Sequence, residues 1–177
     1  GRYSQAQRAL YDLVLKANRG AIAACRPGVA FNQPHDVATQ ILVDGLIALG
    51  LLRGAAQALI ASCAHEKFCP HKTSHWLGLD VHDVGDYRLG EQWRDLMPGM
   101  VLTVEPGIYI PRDSTTADVP EAFRGIGIRV EDSVLITPQG CQVLTEDLLK
   151  DPDEIERWMA TKGSVGQSAQ GLKEVVA

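Results

Sequence analysis

The spacing of apolar residues changes near Pro70 and divides the chain into a helical part and a strand part. Before Pro70, apolar residues recur at helical spacing and predict three helices, over residues 4–25, 34–49 and 55–64. Ser4 is a suitable N-cap for the first helix, and Gly50 suits the cap that ends the second. We interpret these helices as a layer that covers the core and carries no chemistry of its own.

After Pro70, β-branched residues become frequent and predict two strands, over residues 100–110 and 126–136. The remaining segments are predicted as a polar loop at 111–125, a short closing helix at 152–160 and a flexible tail at 161–177. Helices followed by strands, without an internal repeat, indicate the α+β class.

The composition limits the classes of protein to consider. The 177 residues are 45% hydrophobic and 22% charged, which suits one soluble domain with a single core. The net charge of −5 and the scattered basic residues argue against a nucleic-acid partner. Apolar runs are short and interrupted, so we predict neither a signal peptide nor a membrane span. Four cysteines without a CxxC pair indicate reduced thiols in a cytoplasmic protein.

Each predicted strand carries a glutamate within an apolar pattern. In the second strand, Arg129 and Glu131 share one face, because side chains alternate along a strand. In the first strand, Glu105 precedes Pro106, which must break the strand or place it at an edge. Either glutamate alone can be a solvated side chain. An exposed ion pair with an arginine would contribute only about 0–1 kcal/mol to the stability of the fold. A carboxylate in a half-buried strand otherwise needs a cation partner.

A cluster of histidines precedes these glutamates. His71, His75 and His82 lie within twelve residues of a chain that has five histidines. Pro70 before them and Gly78 after them predict a loop or a single turn. A lone histidine is more often an ordinary polar residue. Three close together, followed by two strand glutamates, favour a shared metal ion.

The sequence also offers a rival metal site. Cys63, His65, Cys69 and His71 lie within nine residues, and their nitrogen and sulfur donors suit zinc. Their spacing differs from that of a zinc finger, and a local helix followed by proline orients them poorly. A histidine–glutamate site and a cysteine–histidine site therefore both remain candidates at this point.

Three blocks of sequence, HxxxHWLGLDVHDVG, PGMVLTVEPGIYI and RGIGIRVEDSVLIT, occur in this order between residues 71 and 137. Together they resemble the C-terminal half of the Xaa-Pro aminopeptidases (aminopeptidase P), of the pita-bread metallopeptidase family. The resemblance covers about residues 1–160 and implies that they form the C-terminal part of a catalytic domain. The implied fold is an incomplete pita-bread fold that lacks the first strands of that domain.

The resemblance also implies roles for six residues. Three match the family's metal ligands: His75, Glu105 and Glu131. Glu131 takes the position that bridges two metals. His71 and His82 match histidines that line the pocket and handle protons and substrate, and Arg129 matches an arginine that supports the metal-site carboxylates and the substrate. The family's usual metal is Mn2+, with Co2+ in some members, and oxygen-rich ligands suit such cations.

The family supplies two further aspartates ahead of a helix like the one predicted at 4–25, and no aspartate of this sequence matches them. We therefore expect one metal ion or none, and low peptidase turnover by this chain alone. We also expect an exposed sheet edge that self-association covers, which makes the chain a homo-oligomer.

The implied activity is hydrolysis of the bond between an N-terminal residue and a following proline. The partners would be peptides with proline in second place. Two alternatives remain: an Xaa-Pro dipeptidase (prolidase) with the same fold and ligands, and a metal-free pita-bread module that binds peptides or proteins.

Overall fold

The computed structural model describes residues 1–113 and 119–162. They contain four α-helices: α1 (Gln5–Ala24), α2 (Gln33–Ala48), α3 (Ala56–Ala61) and α4 (Pro152–Lys162). They also contain seven strands: β1 (Arg88–Leu89), β2 (Gln92–Trp93), β3 (Val101–Val104), β4 (Gly107–Tyr109), β5 (Gly127–Arg129), β6 (Asp132–Thr137) and β7 (Gly140–Val143). The predicted tail lies outside the described residues from position 163 onward. Within the described ranges, no helix combines the length and apolar character needed to cross a bilayer.

Helix α1 begins at its predicted cap. The Ser4 hydroxyl accepts the Gln7 N–H at 3.2 Å, and the Gln7 side chain accepts the Ser4 N–H at 2.8 Å, which forms a capping box. The helix packs along α2, and Gly45 of α2 permits the close approach, because a β-carbon there would overlap the Leu13 side chain of α1. Gly50 adopts a left-handed φ of 73° just beyond the end of α2.

Helix α3 is shorter than the predicted range 55–64. It ends at Ala61, and Cys63 then adopts a left-handed φ of 55°, which α-helical geometry excludes. One turn of 3-10 helix, Ala64–Lys67, follows. The apolar spacing continues through this region, so periodicity alone did not locate the end.

The strands form three small antiparallel sheets. Strands β3, β6 and β7 form the central one in the order β3-β6-β7, strand β4 pairs with β5, and β1 with β2 forms a hairpin. Each long strand predicted from the sequence is therefore two short strands. The first breaks after Val104, as Pro106 predicts. The second breaks at Val130–Glu131, which the prediction of one strand over 126–136 missed.

The two breaks lie opposite each other. Val104 pairs with Asp132 and Gly107 pairs with Arg129, so the interrupted residues 105–106 and 130–131 face one another. We call these four residues the strand junction. Only one backbone hydrogen bond is made within it among the described residues, from the Val130 N–H to the Pro106 carbonyl at 3.4 Å. Both predicted strand glutamates, Glu105 and Glu131, belong to the junction.

The alternation predicted for the second strand is confirmed. Val130 is buried and Ile126 and Ile128 are half-buried, whereas Arg129 and Glu131 are exposed. The buried face also carries Asp132, which is 1% exposed and pairs with the Lys150 ammonium and the Thr145 hydroxyl. Alternation places Asp132 on the same face as Val130, but its burial was not predicted.

Candidate metal centre

The histidine segment runs as an extended chain along the outer edge of β3. The Glu105 N–H donates to the Thr73 carbonyl at 2.7 Å, and the Thr103 N–H donates to the His75 carbonyl at 3.0 Å. The Leu77 N–H donates to the Val101 carbonyl at 3.1 Å. The predicted loop is therefore tied to the sheet by regular backbone hydrogen bonds, which bring His75 beside the strand junction.

Three side chains with metal-binding atoms converge at this junction. One potential ligand atom each from His75, Glu105 and Glu131 lies within 4.8 Å of the others. Glu105 is 7% exposed, His75 is partly buried and Glu131 is exposed. Within residues 1–113 and 119–162, no other set of three His, Cys, Asp or Glu side chains meets this criterion. Their role as ligands stays a prediction.

The hydrogen bonds of His75 fix which ring nitrogen faces Glu105. Nδ1 lies 2.9 Å from the Trp76 carbonyl, so Nδ1 carries the proton in the neutral ring. The lone pair of Nε2 then faces Oε1 of Glu105 at 3.1 Å, a repulsive contact unless a proton or a cation lies between them. Metal-bound histidines usually donate their other N–H to a carbonyl in this way. One imidazole and two carboxylates form a donor set that suits a divalent cation.

Arg129 and His71 meet through a tyrosine. Arg129 Nε donates to the Tyr109 hydroxyl at 2.7 Å. His71 Nδ1 donates to the Lys72 carbonyl at 2.8 Å, so Nε2 accepts the Tyr109 O–H at 2.9 Å. Arg129 Nη1 also lies 3.2 Å from Oε2 of Glu105. Arg129 therefore donates a hydrogen bond to Tyr109, and Tyr109 in turn donates one to His71.

Electrostatics at Arg129 favour its charged form. Partial burial lowers the pKa of Arg129, but the hydrogen bond to Tyr109 and the charges of Glu105 and Glu131 outweigh it and raise that pKa above its ordinary value. His82 completes the group, with its exposed ring centred 4.4 Å from that of His75. The structure thus brings all six residues singled out in the sequence to one region.

The rival cysteine and histidine cluster does not converge in the same way. Burial raises the pKa of the Cys69 thiol to about 12, which opposes the thiolate that zinc needs. His65 Nδ1 lies 3.4 Å from the Leu59 carbonyl, and both ring nitrogens of His71 have the partners given above. In the described part of the chain these residues do not form a set of three donors within 4.8 Å.

Several residues of the site escaped the sequence analysis. Tyr109 shares a strand face with Glu105 by alternation, and that signal could have found it. Thr103 lies on the same face, and its hydroxyl donates to Oε1 of Glu105 at 3.2 Å. Asn18 and His35 come from α1 and α2, so the interpretation of the helices as a mere cover was incomplete.

His35 ties α2 to the histidine segment. Its Nδ1 lies 2.9 Å from the Thr73 hydroxyl, and Lys72 Nζ lies 3.5 Å from Nε2. Lysine can only donate, so Nδ1 carries the ring proton. Burial, followed by the charge of Lys72, lowers the pKa of His35 to about 4.

We expect the stability of the fold to fall as the pH drops from about 6.5, the usual value for histidine, to about 4. In that window the unfolded chain binds a proton that the folded His35 does not. Between pH 6.5 and 5 the loss is about 1.6 kcal/mol. Urea unfolding at both pH values should show this loss in the wild type and a correspondingly smaller one in His35→Asn. Parallel pH curves for the two proteins would contradict the assignment.

The fold and the candidate centre agree with the comparison to known families. Residues 1–138 match the model of metallopeptidase family M24, and the chain belongs to this family. The Xaa-Pro aminopeptidase of Escherichia coli K12 is 49% identical over 159 residues, which cover 90% of this chain and 35% of that protein. The Xaa-Pro aminopeptidase of Haemophilus influenzae is 48% identical, with 90% and 36% covered.

Solved structures lead to the same fold. Aminopeptidase PepP of Pseudomonas aeruginosa matches with a TM-score of 0.89 and 48% identity, over 92% of this chain and 36% of that one. The chain therefore has the pita-bread fold of aminopeptidase P, predicted from its motifs, and it spans about a third of the length of these relatives.

Proposed function

We propose that this chain contributes to a metal-dependent aminopeptidase that hydrolyses the bond between an N-terminal residue and a following proline. The observation that carries the proposal is the convergence of His75, Glu105 and Glu131 within 4.8 Å, in a chain of the M24 family. The names of the relatives supply the substrate class, which is peptides with proline in second place. Residues 1–160 would be the C-terminal part of the catalytic domain.

His75, Glu105 and Glu131 would hold a divalent cation, for which we propose Mn2+, with Co2+ as the second choice. When bound, such an ion supplies Lewis-acid activation of water and of the scissile carbonyl. Glu105 is the ligand most firmly held, since Thr103 and Arg129 both contact its carboxylate. Glu131 is exposed, so it can serve as the bridge to a second ion that the resemblance implies.

The remaining residues would bind substrate and move protons. His82 has an exposed ring beside His75, so it can exchange protons with solvent and with a departing amine. His71 uses both ring nitrogens to hold Tyr109 and the Lys72 carbonyl. It would therefore fix Arg129 through Tyr109, and Arg129 would support Glu105 and bind the negative end of a peptide.

Metal analysis tests this proposal directly. After addition of Mn2+ and removal of free ion, we expect inductively coupled plasma mass spectrometry to find one bound equivalent per chain, and low turnover of Xaa-Pro peptides by residues 1–177 alone. One equivalent follows from the three converging donors of the described residues. Absence of binding both here and in a protein of the relatives' full length that carries this chain would overturn the proposed centre, and two tightly held equivalents would contradict the expected occupancy.

A prolidase is the enzymatic alternative. The comparison needs a protein of the relatives' full length that carries this chain, assayed with an Xaa-Pro dipeptide and with a longer Xaa-Pro-Xaa peptide. We expect the longer peptide to be cleaved faster, as the resemblance and the relatives' names indicate. Preference for the dipeptide would favour the prolidase.

A metal-free binding module is the non-enzymatic alternative. The presence of all three candidate ligands speaks against it for the whole protein. Peptide binding that is unchanged by a chelator would favour it. Self-association and a cytoplasmic location stay predictions of the sequence.

A further inference from the structure

Asn18 is a polar side chain buried in the middle of the first helix. It is 1% exposed and lies on the face of α1 that contacts the strands. Its amide nitrogen Nδ2 lies 3.0 Å from the Val104 carbonyl and 3.4 Å from the Val130 carbonyl. An amide NH2 group has two protons, so Asn18 can donate to both carbonyls at once.

The two carbonyls belong to the peptide groups that precede Glu105 and Glu131. The Val130 carbonyl lies in the strand junction opposite Pro106, which has no N–H to donate to it, and the Val104 carbonyl belongs to the last pair of the β3–β6 ladder, next to the junction. The peptide group between Val104 and Glu105 is held from both sides, because its N–H donates to the Thr73 carbonyl at 2.7 Å. One helix side chain therefore connects the two backbone segments from which the candidate carboxylate ligands project.

We infer that Asn18 is a positioning residue that sets the separation of Glu105 and Glu131. The inference rests on the proposed metal centre, and Asn18 itself would touch neither metal nor substrate. Its effect would be transmitted through the backbone at the strand junction. With its two bonds removed, the two segments can shift independently, and the three candidate ligand atoms lose their common centre.

Three variants separate this role from simple packing. Asn18→Leu keeps the approximate volume and removes both donors, and Asn18→Asp keeps the shape but puts an oxygen beside each carbonyl. Leu13→Ala is the matched control, because Leu13 is a buried residue of the same helix that packs against Gly45 of α2. It should lower the stability of the fold without touching the strand junction.

Two measurements on the 177-residue chain decide the matter. Calorimetric titration with Mn2+, well below each melting temperature, should show a Kd about tenfold higher for Asn18→Leu, and higher still for Asn18→Asp. Leu13→Ala should keep the wild-type Kd despite its lower melting temperature. Amide exchange of the metal-free chain should be about tenfold faster at Glu105 and Val130 in Asn18→Leu than in Leu13→Ala.

The outcomes distinguish this inference from the function on which it rests. Wild-type Mn2+ binding with an unchanged Kd in Asn18→Leu would overturn the role of Asn18 and leave the metal centre standing. Failure to bind Mn2+, both by the 177-residue wild type and by a full-length protein that carries it, would overturn the metal centre. In that case amide exchange still decides, because equal exchange at Glu105 and Val130 in Asn18→Leu and Leu13→Ala would refute the positioning of the junction.

Discussion

Glu105→Gln is expected to weaken Mn2+ binding by at least about 100-fold. Loss of a residue that only orients a metal ligand costs up to about 100-fold in affinity, and Glu105 is itself a proposed ligand. The substitution keeps the size of the side chain and removes the charge that a dication needs. Glu105 is 7% exposed and is contacted by His75, Thr103 and Arg129, so the substituted side chain should keep its place and present a neutral amide where the carboxylate was. Calorimetric titration measures the change.

The matched control for this substitution is Glu121→Gln. It removes the same charge from an exposed residue of the 3-10 turn Glu121–Phe123 and should leave Mn2+ binding unchanged. In a protein of full length, hydrolysis of Xaa-Pro peptides should fall together with metal binding in Glu105→Gln. Equal affinity in Glu105→Gln and in the wild type would mean that the converging donors serve another purpose.

Lys150→Met is expected to destabilise the fold by about 3 kcal/mol, the lower end of the cost of breaking a buried ion pair. Asp132 is 1% exposed, and Lys150 and Thr145 are the partners of its carboxylate. Without Lys150, a buried negative charge is left with one hydroxyl donor. The Lys150 side chain is 21% exposed, which places the expected loss at the low end of the range.

Urea unfolding of a double-mutant cycle checks this value. Asp132→Leu combined with Lys150→Met removes both charges and should recover part of the loss, because no unpaired charge then stays in the core. An additive cycle, in which the double variant loses the sum of the two single losses, would show that the pair contributes through separate contacts.

The helices show which boundaries the local spacing of apolar residues can predict. The predicted ranges of α1, α2 and α4 agree with the structure to within two residues at each end, and α1 and α2 each bury a periodic apolar face. The end of α3 was misplaced, since it depends on the left-handed backbone of Cys63 and not on side-chain spacing. The two long strands had the correct face pattern, but their division into four strands could be inferred only at Pro106.

Some residues of the candidate site could likewise be found from local sequence, and others could not. The histidines and glutamates were found because they stand in dense sequence blocks, and their convergence agrees with that prediction of a shared centre. Asn18 lies 86 positions before Val104, whose carbonyl it contacts. No local signal marks an asparagine in a helix as the partner of a distant strand, so only the three-dimensional arrangement could identify it.

The backbone bonds between the histidine segment and β3 have a kinetic consequence. Because Thr73 and His75 accept hydrogen bonds from Glu105 and Thr103, His75 cannot swing away from Glu105 as a free loop residue could. Opening of this edge of the sheet would separate His75 from Glu105, two of the three candidate ligands. Local opening of the strand pair would therefore shorten the residence time of a bound ion.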